Sequence, residues 1–600
     1  MLEFKLPEIG ENIKSGKVIN ILVNAGDTVK KDQDLIELET DKASVPIPSP
    51  CDGVIKEILI KQGQDVAIGS VIMKIEESSS AATQQPKKET PAPKSESKPA
   101  AQPISTPGVT KTAVTQSVSE PAPETHEATL NTDQHVVVIG AGPGGYPAAF
   151  HAADLGLKVT LIDEEKNPGG VCVYRGCIPS KALLHAAKVI NDAKEAKDIG
   201  ITFEKPNVNL DQLRAWKNKV VDQLTGGTGL LVKQRKINYI QGRATFVSSN
   251  GVNVQKSDGT KETITFDKAI LATGSHPIAI PDWPKSKRMM DSTAALEIAD
   301  IPKSMLLVGG GVIGLELGCV YAELGSELDV VEMLPQLLTG ADQDIVAVLH
   351  KRLEKIFRSI MLETKVISMS EKTDGILVKF QDKDGKTFEK TYDKVLVAIG
   401  RRPNSKNLGL ENTKVTVNDK GFVPVNAHQQ TSDPSIYAIG DLVGQPMLAH
   451  KASHEGIVAA GHIAGEKVAF EPKAIPAVVY TDPEIAWCGL TETEAKAKGI
   501  SHQVTKFPWA ASGRAISMAR TDGMTKLIFD PNTEIILGMA IVGVGAGELI
   551  GEGALAVEMA ATATDIKLTI HPHPTITETV MESAESFFGH ATHVYRPKRK

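Results

Sequence analysis

The sequence predicts an α/β protein of several domains: two units built on buried parallel strands, a small all-β unit in front of them, and a long linker between. Three observations carry this. A strand, a glycine-rich turn, a helix, a second strand and an acidic residue follow one another twice, over residues 136–163 and 305–332. A strand-like segment repeats at an offset of 37 within the first 77 residues. The composition changes sharply near residue 78. At 600 residues the chain also exceeds what one core organises, since domains run to roughly 100–200 residues.

Composition excludes several classes. Hydrophobic content of 41% and charged content of 23% fit ordinary soluble folds and exclude a wholly disordered chain. A net charge of −7 argues against a general nucleic-acid binder, which is usually basic. Met1-Leu2-Glu3-Phe4-Lys5-Leu6-Pro7 lacks the apolar core of a secretory signal. No uncharged apolar run reaches the roughly 18 residues of a transmembrane segment. Five cysteines in 600 residues suggest a reducing compartment, hence a cytoplasmic protein, in which a cysteine pair is more readily catalytic than structural. No metal site is expected.

Within residues 1–77, Ile21-Leu22-Val23-Asn24-Ala25-Gly26 matches Ile58-Leu59-Ile60-Lys61-Gln62-Gly63, and Leu35-Ile36 matches Ile72-Met73. Each copy is strand-like with Gly at a turn, so two related sheets forming a small barrel or sandwich are expected. Between the copies, Glu39-Thr40-Asp41-Lys42-Ala43 suits a hairpin turn with one lysine at its tip. Asp41-Lys42-Ala43 between symmetric halves resembles the modification site of lipoyl domains. The resemblance implies a covalent lipoyl group on Lys42; the related biotinyl domains carry Met on both sides of the lysine, and this turn does not. Residues 78–130 hold eight prolines and almost no large apolar residue, so they cannot offset their ordering entropy by burial. They read as a flexible linker.

After the linker, Val136-Val137-Val138-Ile139 reads as a buried parallel strand running into Gly140-Ala141-Gly142-Pro143-Gly144-Gly145 and a helix. A second strand ends at Asp163. This is Gly-x-Gly-x-x-Gly in the context that gives it meaning. Gly140, Gly142 and Gly145 let the backbone approach a pyrophosphate, the helix N-terminus supplies partial positive charge, and Asp163 can accept a ribose hydroxyl. The pattern recurs with Gly309, Gly311 and Gly314, then Glu332, which favours a free 2′-hydroxyl and so NAD over NADP. Two Rossmann-like dinucleotide-binding domains imply two nucleotides, most simply FAD and NAD. Ala269-Ile270-Leu271-Ala272-Thr273-Gly274 and Val395-Leu396-Val397-Ala398-Ile399-Gly400 read as strands crossing between them. Asp441, ending a short strand, resembles the flavoprotein acid that bonds the FAD ribitol, and Ala449 falls in the next flavin-side segment. The expected division is 131–276 for FAD, 277–400 for NAD and 401–473 for a central FAD-contacting segment.

Gly176 permits a bend that could bring Cys172 and Cys177 within bonding reach, and Cys177 would sit at a helix start, which favours its thiolate. Cys172 through Lys181, with Cys177-Ile178-Pro179-Ser180-Lys181 intact, closely resembles the active-site disulfide of the pyridine nucleotide–disulfide oxidoreductases. The resemblance covers about 131–600. It implies that Cys172 meets substrate, that Cys177 is the thiolate facing flavin, and that Lys181 and Glu316 form an ion pair near it. Two departures stand out: Val171 in place of the usual Thr, and Arg175 in place of Asn or Val. Near the end, His573 could take a thiol proton and Glu578 could fix its tautomer. His573-Pro574-Thr575-Ile576-Thr577-Glu578 matches the family's His-Pro-Thr-x-x-Glu motif. That implies a base reaching the other subunit's disulfide, an obligate homodimer, and an α+β interface (dimerisation) domain over 474–600.

Within that family, Met447-Leu448-Ala449-His450-Lys451-Ala452 resembles most the members that oxidise dihydrolipoyl groups, and together with the lipoyl-like unit and Glu332 this resemblance implies oxidation of dihydrolipoyl groups with NAD. The protein would be the third component of 2-oxo acid dehydrogenase complexes, partnered by the acyltransferase (E2) component and its lipoyl domains. An NADPH-dependent disulfide reductase and a non-enzymatic lipoyl-presenting scaffold stay open at this point.

Overall fold

A computed structural model of the chain describes residues 2–7, 15–31, 33–39, 44–77 and 133–595. The expected attachment residue Lys42 and the expected linker 78–130 lie outside the described residues. The chain divides into two units, residues 1–121 and 122–600.

In the first unit, two four-stranded antiparallel sheets face each other. One runs Leu2–Lys5, Val71–Glu77, Gly53–Ile58, Thr28–Val29, and the other Ser44–Pro48, Asp34–Glu39, Ser15–Ile21, Asp65–Ala67. Inward residues Val18, Leu35, Leu38, Ile55, Ile72 and Ile75 are almost wholly buried and form the core. The 37-residue repeat becomes a local two-fold exchange. Gly26 N–H donates to Ile55 O and Gly63 N–H to Val18 O, each at 2.7 Å, so each copy closes its turn on the other copy's strand. Gly26 and Gly63 both take positive φ, at 101° and 85°, which explains glycine at both turns.

The second unit holds two parallel sheets. The first orders Asn238–Ser248, Lys158–Asp163, His135–Ile139, Lys268–Leu271 and Ile436–Ala438 in parallel, with Gly251–Lys256 and Lys261–Thr265 added antiparallel. The other orders Met289–Met290, Lys394–Val397, Ser304–Val308, Glu327–Val331 and Ser359–Met361. Their central strands are apolar throughout because both faces are covered: Val136, Val137, Val138, Met305, Leu306 and Leu307 are wholly buried. In each sheet the first strand lies between the strand that follows it and one from later in the chain, so the strand order reverses there, the place where a crevice opens at the strands' carboxyl ends. The two segments expected to cross between these units do so differently. Their strands stop at Leu271 and Val397, inside separate sheets, and the crossing is a two-stranded antiparallel ribbon of Ser275–Pro277 with Arg401–Pro403. Gly274 and Gly400, at φ 68° and 118°, turn the chain into it.

The C-terminal part is a five-stranded antiparallel sheet, Ala477–Val479, Glu484–Gly489, Ile536–Gly543, Met524–Phe529, Gln503–Pro508, packed with helices Ala546–Glu558 and Glu578–Glu585 around Trp509, Phe529 and Met539. No helix among the described residues is long and apolar enough to cross a membrane.

Candidate active site

The first glycine-rich turn joins strand His135–Ile139 to helix Gly145–Asp154. Gly140 takes φ 97°, and a Cβ there would strike Ala272 O; one at Gly145 would strike Gly140 O. Asp163 ends the next strand. Its Oδ2 accepts from Ala141 N–H at 2.5 Å and its Oδ1 from Glu165 N–H at 2.8 Å, so the acid also shapes the loop it faces. Burial pushes the Asp163 carboxyl up, against the Ala141 amide and the Arg175 charge. A cavity of about 900 Å³ opens here, lined by Gly140, Asp163, Gly242, Thr273, Asn404 and neighbours. The volume, the glycine cradle and the acid together fit the adenylate end of a dinucleotide. Thr273 Oγ1 donates to Asn404 O at 2.9 Å, so its hydroxyl braces the loop over the cavity. Asp441 accepts from Ser275 Oγ, and Arg401 donates to the same Ser275 through Nε at 2.7 Å and to its carbonyl at 2.6 Å. Ala449 opens the helix Ala449–Ala464, whose N-terminus carries partial positive charge.

The second turn repeats the design. Gly309 takes φ 102° with no room for a Cβ beside Ala398 O, and Gly314 packs on Gly309 O. Glu332 Oε2 accepts from Gly310 N–H at 2.7 Å and Oε1 from Leu334 N–H at 2.9 Å. At Gly311 a Cβ would meet nothing within 4 Å, which leaves room for a pyrophosphate at the start of helix Val312–Leu324.

The sulfur pair sits on the first turn's flank. Helix Gly170–Arg175 carries Cys172, and helix Cys177–Glu195 begins on Cys177. Gly170 takes φ 56° and a Cβ there would strike Gly142 backbone, so the segment is pressed onto the first glycine loop. Gly176 makes the bend between the cysteines; a Cβ would lie 2.8 Å from Val171 O. Both cysteines are free thiols here, and they are hydrogen-bonded to each other. That bond draws the Cys177 thiol down; burial opposes it and Lys181 reinforces it, and the net direction is down. Cys172 moves up for the same reason, with burial adding. The pair therefore holds its negative charge on Cys177, at the helix start. Lys181 Nζ lies 2.9 Å from Glu316 Oε2, and Glu316 is almost wholly buried, also accepting from Tyr480 N–H at 3.0 Å.

At the far end, His573 Nδ1 is 2.9 Å from Glu578 Oε1, and Glu578 Oε2 accepts from Thr575 N–H at 2.9 Å. Burial would raise the Glu578 carboxyl, but the Thr575 amide and His573 outweigh it, and the net direction is down. The His573 side chain is 75% exposed, and among the described residues nothing bonds its Nε2. His571 differs: both ring nitrogens are engaged, by Thr569 O and Glu552.

Residues 134–456 match the family described as pyridine nucleotide-disulphide oxidoreductase. The chain belongs to the pyridine nucleotide-disulphide oxidoreductases. Residues 475–584 match that family's dimerisation domain, and residues 2–75 match the family described as biotin-requiring enzyme. Curated relatives include the dihydrolipoyl dehydrogenase of Vibrio cholerae serotype O1, 52% identical over 466 residues, which are 78% of this chain and 98% of that protein. The dihydrolipoyl dehydrogenase of Geobacillus stearothermophilus is 43% identical over 77% of this chain and 98% of its own length. Among solved structures, LpdA of Mycobacterium tuberculosis matches with a TM-score of 0.70 at 26% identity, covering 75% of this chain and 99% of its own. As a member of this family, the protein takes FAD and NAD as cofactors.

Sequence reasoning missed several residues of this oxidoreductase site. Tyr480 lends its backbone amide to Glu316 and its ring to Lys181, 4.6 Å away. Arg401 and Ser275 brace Asp441. Glu165 pairs with Arg175. Tyr480, Arg401 and Ser275 carry no local signal because each acts on a residue far along the chain; Glu165 is only ten residues from Arg175, but no strand or helix period pairs the two across the intervening turn.

Proposed function

We propose that the chain oxidises dihydrolipoyl groups and reduces NAD through the Cys172–Cys177 couple. It would do so as the third component of 2-oxo acid dehydrogenase complexes. The observation that carries this is the sulfur pair itself: pressed onto the first glycine loop, with its negative charge held on Cys177 beside Lys181. Gly140, Gly142, Gly145, Asp163, Lys181, Thr273, Gly274, Asp441 and Ala449 would hold FAD. Gly309, Gly311, Gly314, Glu332 and Gly400 would hold NAD.

The cycle starts from the oxidised couple. His573 of the partner subunit takes the proton of one dihydrolipoyl thiol at Nε2, and Glu578 stabilises the imidazolium through Nδ1. The substrate thiolate attacks Cys172 Sγ, the Cys172–Cys177 bond breaks, and Cys177 leaves as the thiolate that Lys181 and the helix start stabilise. The second substrate thiol then attacks the substrate sulfur of the mixed disulfide. It releases oxidised lipoyl and returns Cys172 as a thiol, and two electrons remain on the cysteine pair. When bound, FAD supplies the route by which those two electrons pass to NAD.

Homodimerisation completes each site. The arrangement leaves His573 outward, and Leu555, Met559, Leu568 and Ile570, between 64% and 95% exposed, give the same region an apolar surface that a second copy would cover. Lys42 would carry the lipoyl group, and the acyltransferase (E2) component with its lipoyl domains would supply substrate. The sparse cysteines, five in 600 residues, accord with a cytoplasmic setting. Steady-state assays test the reading: turnover is expected with NAD and dihydrolipoamide. Turnover confined to NADPH and glutathione would replace it. Intact-mass measurement of residues 1–77 from the native source should show a lipoyl adduct on Lys42.

A further inference from the structure

The structure contains a closed circuit of contacts that the reaction cycle does not use. Arg175, the last residue of the helix that carries Cys172, pairs with Glu165. Glu165 N–H donates to Asp163 Oδ1 at 2.8 Å, and Asp163 Oδ2 accepts from Ala141 N–H at 2.5 Å. Ala141 O accepts from Gly169 N–H at 2.8 Å, and Gly169 leads back into the helix. Two tyrosines brace the loop between. Tyr174 OH donates to Asn167 O at 3.0 Å, and Tyr239 OH donates to Glu165 O at 2.8 Å. The guanidinium also lies over the Tyr174 ring, 5.9 Å from its centre. Thus a charge placed between the two redox cysteines is anchored two residues from the acid of the nucleotide crevice.

We propose that Arg175 is a positioning residue for FAD: through Glu165 it ties the cysteine-bearing turn to the Asp163 loop, so that grip on the adenylate end and geometry of the sulfur pair are set together. This rests on the reading of Asp163 as the ribose acceptor of FAD. The physical need is plain. Asp163 is half-buried, and its partial burial disfavours the charged form, while accepting amides on both oxygens and a ribose hydroxyl favours that form. A guanidinium on the loop supplies a compensating charge, and its planar fork fixes direction as well. The pair is partly exposed, at 39% and 29%, so its effect is a modest one.

The test uses the full-length holoprotein. The release of FAD, followed by flavin fluorescence, is expected to quicken about threefold to fivefold in Arg175→Gln and in Glu165→Gln. The long-wavelength absorbance of the two-electron-reduced protein should weaken in the same variants, a change that a purely structural role would not produce. Arg175→Lys should retain most of both properties. The charge-swapped pair Arg175→Glu with Glu165→Arg should recover FAD release to within about twofold of wild type. Wild-type release and absorbance in both Gln variants, or a swap no better than the singles, would overturn the proposal. Asp163→Asn separates the two levels. Rapid FAD loss there with unchanged Gln variants rejects only the Arg175 role. Unchanged retention in Asp163→Asn overturns the nucleotide placement and the proposal with it.

Discussion

The two glycine-rich turns are built alike yet offer a nucleotide different surroundings. In both, an acid at the end of the second strand accepts a backbone amide from the turn: Asp163 from Ala141 and Glu332 from Gly310. In both, the first glycine has positive φ and packs on a carbonyl of the neighbouring strand's exit. The difference lies in what covers them. Over the first turn lies the cysteine-bearing segment, with Gly170 against Gly142. Over Gly311 lies nothing within 4 Å of a Cβ, and Ile313, Met333 and Leu334 nearby are 37%, 62% and 43% exposed. The motif thus sets how a pyrophosphate is gripped, and the cover sets whether the nucleotide leaves. On the functional reading above, the covered crevice retains FAD through turnover and the open one exchanges NAD each cycle.

The largest effect should come from the cover itself. Cys172→Ser is expected to lower dihydrolipoyl oxidation by at least about a thousandfold while FAD stays bound, since it removes a reacting atom and leaves the packing. His573→Gln should cost about a hundredfold or more. A heterodimer of Cys172→Ser with His573→Gln sharpens the point. If the base acts across the dimer, one of its two sites is intact and about half the wild-type activity returns; if the base acts within its own chain, almost none does. A smaller pair of changes probes the turns directly. Gly170→Ala forces a side chain into positive φ and onto Gly142, so a loss on the order of 1–3 kcal/mol with released FAD is expected in thermal melts. Gly311→Ala meets only open space, so stability should hold within about 0.5 kcal/mol while KM for NAD rises about tenfold. Equal effects of the two on FAD retention would break the comparison.

Much of this plan is written locally. The two turns, their acids, the Cys172–Cys177 spacing and the His573–Glu578 spacing each lie within about 30 residues, and strand or helix period carries them. The 37-residue repeat foretells two matched sheets, though not that each turn closes on the other copy's strand. What sequence pattern misses is non-local. Glu316 reaches Lys181 across 135 residues. Lys526, buried among Asp342, Asp344 and Glu492, joins segments up to 184 apart, by difference of residue numbers. Asp163 and Glu332 could be read as ribose acceptors, but their second task of shaping their own turns needs backbone coordinates. The crossing ribbon Ser275–Pro277 with Arg401–Pro403 was hidden because it is only three residues a side, too short for alternation to register.

The smallest expected effect tests the covered turn by acid. Asp163 must be ionised to accept its amides and a ribose hydroxyl, and burial raises its folded-state titration above the ordinary aspartate range, which centres near about 4. The groups facing it set the balance: the Ala141 and Glu165 amides and Arg175 favour the charge, while Tyr239 and Tyr174 lie close on the adjoining strand and helix. The retention that depends on Asp163 is therefore present at neutral pH and lost as pH falls through the raised value, earlier than for an exposed carboxylate. FAD release from the holoprotein is expected to quicken about twofold to threefold as pH falls from neutral through that raised value. In Asp163→Asn it should start fast and stay flat, because the titrating group is gone. In Arg175→Gln the rise should begin at higher pH, because burial is then opposed by one charge fewer. Acid-quickened release that survives in Asp163→Asn would assign the effect to another group and remove the acid from the account of why the covered turn keeps its nucleotide.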